Sequence, residues 1–234
     1  MSFLDAVITV GDPLQADTQA AKKRFSERLS RALAEEVADG ARATGFKSTK
    51  PTRGGVQEKE FEGGLGPKKV DVSFADERNG LMLAVSIKTI SFEPFGKNLK
   101  NRFGDLCAEA ITLHMRFPYS VVCALFAFPI LADRDTEKKR EISTFKRASR
   151  LVGTMSGRTE YTDPPEKFEN VTMLLYQPMN AEGVDPSIRL IDSKTGRELT
   201  EREYFEMLRS LFESRNPHYA IAAAAKEIDT ALSE

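Results

Sequence analysis

Apolar residues in the first 130 positions follow two rhythms. Between about Thr18 and Thr44 they recur at helical spacing. Phe25, Leu29, Ala32, Leu33 and Ala43 fall on one stripe when the chain advances ~100° per residue. Asp17 or Thr18 stands where a helix cap belongs, and Gly45 where a helix stops. A glycine-rich stretch follows (Gly54-Gly55, Gly63-Gly64 and Gly66), with Val56 to Phe61 alternating inside it as a short strand would. Lys69 to Phe74 and Leu81 to Ile90 alternate with period two and predict strands. Between them, Asp76 to Gly80 is a turn, and its Asn79-Gly80 pair is the strongest short-range hairpin signal. Helical spacing returns from about Lys97 to Phe117. Pro118 ends it, and Tyr119 to Phe128 reads as a buried strand.

Beyond Pro129 the pattern loosens. Residues 133–141 are charged and read as an exposed loop or helix start; residues 141–153 read as a helix. Val171 to Gln177 and Ser187 to Asp192 predict strands, and Glu201 to Glu213 and His218 to Ala231 predict two closing helices. The expected fold class is α/β: a mixed central sheet flanked by helices in the order αβββαβ, with strand and helix additions at the C-terminal end. Residues 1–130 form the expected core. Residues 131–234 are an expected extension of the same domain, with recognition or dimerisation elements.

The 234 residues carry 34 Lys+Arg against 35 Asp+Glu, so net charge alone announces no nucleic-acid partner, and local clusters decide instead. Such clusters are Lys22-Lys23-Arg24, the run from Lys97 to Arg102 that includes Lys100, Lys138-Lys139-Arg140, and Lys146, Arg147 and Arg150. Each is an ordinary solvated face unless it meets phosphate. Two histidines far apart and two cysteines, Cys107 and Cys123, argue against a zinc centre, a disulfide framework or a histidine-dependent nucleophile. Buried thiols, no apolar run of membrane length and an N-terminus without a basic start predict a cytoplasmic protein without a signal peptide or membrane span. The Gly63–Lys68 stretch lacks the Gly-Lys-Ser/Thr ending of a phosphate-binding loop and is expected as a mobile loop.

Three places break the apolar-in, polar-out rule. On the predicted hairpin, Val70, Val72 and Phe74 share one face of the first strand, and Lys69, Asp71 and Ser73 the other. On the second strand Leu83, Val85 and Ile87 oppose Met82, Ala84, Ser86 and Lys88. Folding at Asn79-Gly80 brings Asp71 opposite Ser86, give or take two residues, close to Lys88. An exposed cross-strand ion pair would look the same. On the first long helix, Glu36 falls at about 20° in the middle of the apolar stripe. A carboxylate facing a core is paired, metal-bound or protonated; a frayed helix end, or a Glu that snorkels or pairs with an arginine, accounts for it equally well. On the later helix Asp105, Glu109, Thr112 and Arg116 form a polar stripe beside the apolar Leu99, Leu106, Ala110, Leu113 and Phe117. It reads equally as a solvent face. Carboxylates, a hydroxyl and an ammonium gathered together suit divalent-cation-assisted phosphodiester cleavage, which requires no His or Cys.

Pro67-Lys68-Lys69-Val70-Asp71 followed by Ser86-Ile87-Lys88, in a helix–strand–hairpin–helix–strand order, resembles the PD-(D/E)XK nuclease superfamily over roughly residues 18–128. The resemblance implies a restriction-endonuclease-like core. It also implies a Mg²⁺-dependent DNA endonuclease, with Mn²⁺ as a substitute, of restriction or defence type. Asp71 matches the first acid and metal ligand, Lys88 the lysine that assists the nucleophile, and Glu36 the additional acid of the first helix. Ser86 stands where the family has Asp or Glu, and the proline lies four residues before Asp71 rather than beside it. Some members with Ser-x-Lys recover the carboxylate from the following helix, which nominates Glu109, or else Asp105 or Glu93. The implied partners are double-stranded DNA, through Lys97, Lys100 and Arg102, and a second copy in a homodimer. Two other readings are a binding module on a degenerate nuclease core, and an unrelated α/β protein with a surface Asp71–Lys88 pair.

Overall fold

The structure is a computed structural model that describes residues 2–13, 16–55, 58–136, 141–178 and 183–219. The predicted strand from Lys69 breaks in two at Asp71. Helices α1 (Phe3–Val10) and α2 (Gln19–Ala43) come first; β1 (Lys59–Gly63) and β2 (Gly66–Val70) then pair antiparallel as a separate two-stranded sheet. One residue later the chain enters a six-stranded sheet with the spatial order β3 (Val72–Asp76), β4 (Gly80–Thr89), β5 (Val121–Pro129), β6 (Asn170–Gln177), β7 (Ser187–Asp192), β8 (Glu198–Leu199). The pairs β3–β4, β6–β7 and β7–β8 are antiparallel; β4–β5 and β5–β6 are parallel. Each parallel step is bridged by a crossover helix, α3 (Phe95–Arg116) and α4 (Thr144–Gly153), as parallel pairing demands. The fold is mixed α/β, with helices on both faces of one mixed sheet.

Local chemistry accounts for most element ends. The Thr18 hydroxyl accepts from the Ala21 amide at the start of α2, and Gly45 follows its end at φ 109°. The Asp76 carboxylate accepts from the Arg78 and Asn79 amides, and Gly80 takes the left-handed φ that closes the hairpin. Helix α1, which no periodicity predicted, holds through a capping box of Ser2 and Asp5 and buries Phe3, Ala6, Val7 and Val10. The predicted helix from His218 to Ala231 lies almost entirely outside the described residues, as do Lys138, Lys139 and Arg140.

Two apolar layers sandwich the sheet. On one side, Phe25, Leu29, Leu33 and Val37 of α2 meet Val72, Phe74, Leu83, Val85 and Ile87. Each such side chain contributes about 1.5–3 kcal/mol through burial. On the other, Leu99, Leu106, Ala110 and Leu113 of α3 meet Ala84, Val122, Ala124 and Phe126. Two expectations need correcting. Val70 packs on the α3 side while Val72 and Phe74 pack on the α2 side, because the break at Asp71 turns the chain over. Met82 joins Leu83 on the α2 side, because a bulge between Phe74 and Ala75 interrupts the alternation.

The β1–β2 hairpin lies on α3 where a solvent face was expected. The Gly64 amide donates to the Thr112 carbonyl at 2.8 Å, and Glu109 and Thr112 are buried. Glycine is required here. A Cβ at Gly63 would stand 2.3 Å from Thr112 Cγ2 and 2.9 Å from its carbonyl oxygen. Gly63→Ala should therefore lift the hairpin and cost about 1–3 kcal/mol, the range of overpacking. The check is a drop in the urea midpoint; an unchanged midpoint would mean the hairpin is not seated there.

Candidate functional site

The break at Asp71 frees its side chain from the strand alternation. The β3–β4 register, Val72 with Val85 and Ser73 with Ala84, extrapolates to Asp71 opposite Ser86, as the turn chemistry predicted. The carboxylate reaches the edge of β4, where Oδ2 accepts from the Ile87 amide at 2.6 Å. Lys88 lies one residue further along β4. Its Nζ stands 3.8 Å from Asp71 Oδ2 and 2.7 Å from Glu109 Oε2. One ammonium thus bridges an acid from the sheet edge and an acid from α3. Sequence pattern alone did not reveal a second cation, Lys68 on β2, whose Nζ holds Glu109 Oε1 at 2.9 Å. Lys68 shares its strand face with buried Val70, and that alternation was the available signal. Ser86, on the same face of β4 as Lys88, is buried, and its hydroxyl has no hydrogen-bond partner among the described residues.

The electrostatics follow from burial and charge. Burial pushes the Asp71 carboxyl up to about 6; Lys88 opposes that shift, while Glu109 and Glu58 add to it. Burial would lower the Lys88 ammonium, but Glu109 and Asp71 outweigh it and hold the group above its ordinary value, so it stays charged at neutral pH. Between the ordinary carboxyl value and about 6 the native state binds the Asp71 proton and the unfolded chain does not. Folding stability therefore falls as pH rises through that window. In EDTA, Asp71→Asn should flatten the fall in the urea midpoint between about pH 4 and about pH 6. An identical pH profile in the variant would assign the shift elsewhere.

The remaining predicted residues are dispersed. Glu36 is buried, but Arg53 engages it, and the same guanidinium reaches Asp39 and, at 3.5 Å, Glu35. Helix α2 packs on the sheet face opposite the one that carries Ser86 and Lys88, so Glu36 is not among the groups gathered at Lys88. Its presence in the apolar stripe is explained by an arginine from the loop after α2, which has no periodic signature. Asp105 is exposed and pairs with Arg102 at 3.0 Å, adding only to the field at Lys88. Glu93 is exposed in the loop before α3. Lys97, Lys100 and Arg102 are exposed on the first turns of α3. His114 is buried, 2.9 Å from the Pro165 carbonyl oxygen and away from these groups.

No three His, Cys, Asp or Glu side chains gather for a metal among the described residues. The fit to a small hard cation therefore rests on Asp71 and Glu109. One or two carboxylates suffice for Mg²⁺, which keeps several of its waters. Both acids meet at a single ammonium, on the face of β4 that also carries the buried Ser86 hydroxyl, and this is an oxygen donor set of the kind such an ion takes. No helix among the described residues is long and apolar enough to cross a membrane. Comparison with protein-family models, curated proteins and solved structures finds no match to this chain.

Proposed function

We propose that the chain is a metal-dependent DNA endonuclease with a restriction-endonuclease-like core. The observation that carries this reading is the meeting of Asp71 and Glu109 at Lys88, on a β-hairpin edge and the crossover helix after it. Glu109 supplies from α3 the carboxylate that Ser86 lacks. Asp71 and Glu109 would hold Mg²⁺, which polarises a phosphate and lowers the pKa of water when bound. Lys88 is held as an ammonium, so it contributes positive charge at the oxygens of the phosphate under attack rather than acting as a base. Lys68 keeps Glu109 oriented toward Lys88 through its second oxygen. The Asp71 carboxylate is held in place by the Ile87 amide. Double-stranded DNA as substrate and a homodimer that cuts both strands belong to the same reading.

The test is incubation of supercoiled plasmid with the protein in Mg²⁺, Mn²⁺ or EDTA. Nicked and linear products in either metal and none in EDTA are expected; intact plasmid in all three overturns the reading. The small carboxylate set favours one second reading, a nucleic-acid-binding module on a degenerate core. That reading predicts retardation of the plasmid without cleavage.

A further inference from the structure

Both oxygens of the Glu109 carboxylate are engaged by ammonium groups. Lys88 of β4 stands 2.7 Å from Oε2, and Lys68 of β2 stands 2.9 Å from Oε1. The two lysines are not equivalent. The Lys88 side chain is 14% exposed and also lies 3.8 Å from Asp71, so it is anchored between two acids. The Lys68 side chain is 33% exposed, and Glu109 is its one ion-pair partner among the described residues. Its ammonium therefore has water beside it and a single attachment to give up. The backbone that carries it is fixed by other means. Phe61 and Val70 of the same hairpin are buried in the α3 layer, and the Gly64 amide donates to the Thr112 carbonyl. The Lys68 side chain can leave Glu109 while the hairpin stays seated.

We propose that Lys68 is a displaceable counter-ion: it holds Glu109 Oε1 until a divalent cation takes that oxygen, and so sets the metal concentration at which the site loads. The cation is the one of the nuclease reading, on which this role rests. A hard ion such as Mg²⁺ binds a carboxylate oxygen at ~2.0–2.1 Å. An ammonium kept at 2.9 Å from the same oxygen lies at most about 5 Å from that ion. Even with the screening of bulk water, a unit and a double positive charge about 5 Å apart repel enough to weaken binding more than about tenfold. Breaking the pair instead costs a hydrogen bond between two charged groups, one of them buried, an effect of similar size. By either route the lysine opposes the ion. A purely positioning lysine would do the reverse, because its removal would let Glu109 turn away from the site.

The experiment is a Mn²⁺ titration of the full chain without DNA, with the free ion read from its electron paramagnetic resonance signal. Lys68→Met is expected to bind Mn²⁺ about tenfold or more tightly than the unaltered protein. Lys88 remains as a counter-charge to Glu109 in that variant. Lys68→Arg, which keeps the positive charge, should bind Mn²⁺ no more tightly than the unaltered protein. Lys68→Gln repeats the measurement should methionine disturb the hairpin, with thermal unfolding as the control for intact structure. Mn²⁺ affinity unchanged within about threefold, or weaker, in both neutral variants overturns the role. A gain that persists when Glu109→Gln is added also overturns it, because the competition is for that carboxylate. The plasmid assay reports on the nuclease reading by itself. Tighter Mn²⁺ binding without cleavage keeps Lys68 in this role and removes the catalytic reading; Mg²⁺-supported cleavage with no gain in Mn²⁺ affinity does the opposite.

Discussion

Replacing Lys88 with alanine is expected to lower Mg²⁺-supported cleavage by about 10²–10³-fold, the range for removing one pre-positioned electrostatic group from a reacting centre. The reason is its position. The ammonium is 2.7 Å from Glu109 and 3.8 Å from Asp71, so it is the cation that joins the two acids proposed to hold the metal. Asp71→Ala should cost at least as much, because it removes one of the two carboxylates that meet at Lys88 among the described residues. Single-turnover plasmid cleavage measures both, with thermal unfolding as a control for intact structure. Without metal, Lys88→Ala also takes the shared counter-charge from the half-buried Asp71 and the buried Glu109, whose charges repel, although Lys68 remains on Glu109. Asp71 can relieve that repulsion by taking up a proton, since its carboxyl already sits at about 6, so the stability loss should be modest compared with the loss of rate. Activity within about threefold of the unaltered protein in both variants would sink the assignment of the site. Glu36→Gln should leave the rate unchanged, since Arg53 and not the site holds that acid.

Glu169→Ala is expected to destabilise the fold by about 3–5 kcal/mol without touching this chemistry. Glu169 sits at the start of β6 and is the shared counter-ion of a buried cluster. Arg158 donates to Oε1 at 2.7 Å and Arg215 of α5 (Glu201–Arg215) lies 3.2 Å from the same oxygen. The Val122 amide donates to Oε2 at 2.8 Å, and His114 Nε2 lies 3.4 Å from that oxygen. Burial would raise the Glu169 carboxyl, but His114, the Val122 amide and Arg158 hold it below its ordinary value. Its contribution is thus present above the unfolded carboxyl value and is lost as pH falls through the depressed one. Removing the carboxylate leaves the fully buried Arg158 guanidinium without a counter-charge, which is why the penalty exceeds that of a surface pair. Urea unfolding at neutral pH provides the measurement, with an unchanged m-value required for a simple reading. A loss under about 1 kcal/mol would mean that the cluster relaxes to solvent.

The amino-acid sequence alone determined the elements and much of their order. The caps at Thr18 and Gly45, the Asn79-Gly80 turn, the proline after α3 and the apolar run of β5 act over a few residues, and local periodicity reports such effects directly. It placed Asp71 opposite Ser86 only to within two residues, because the Asp76–Gly80 loop and the bulge between Phe74 and Ala75 set the final pairing. Tertiary structure decided the rest. Nothing local marks Asp71 as the point where one sheet ends and another begins, because both halves alternate; only the docking of β1–β2 on α3 separates them. That same docking buries Glu109 and introduces Lys68, turning a stripe that reads as solvent-facing into half of a carboxylate pair. Glu36 shows the converse. Its place in an apolar stripe was legible, but its partner, Arg53, comes from an irregular loop. A buried charge announces that it needs a counter-charge, and only the folded chain determines which one is near enough to serve.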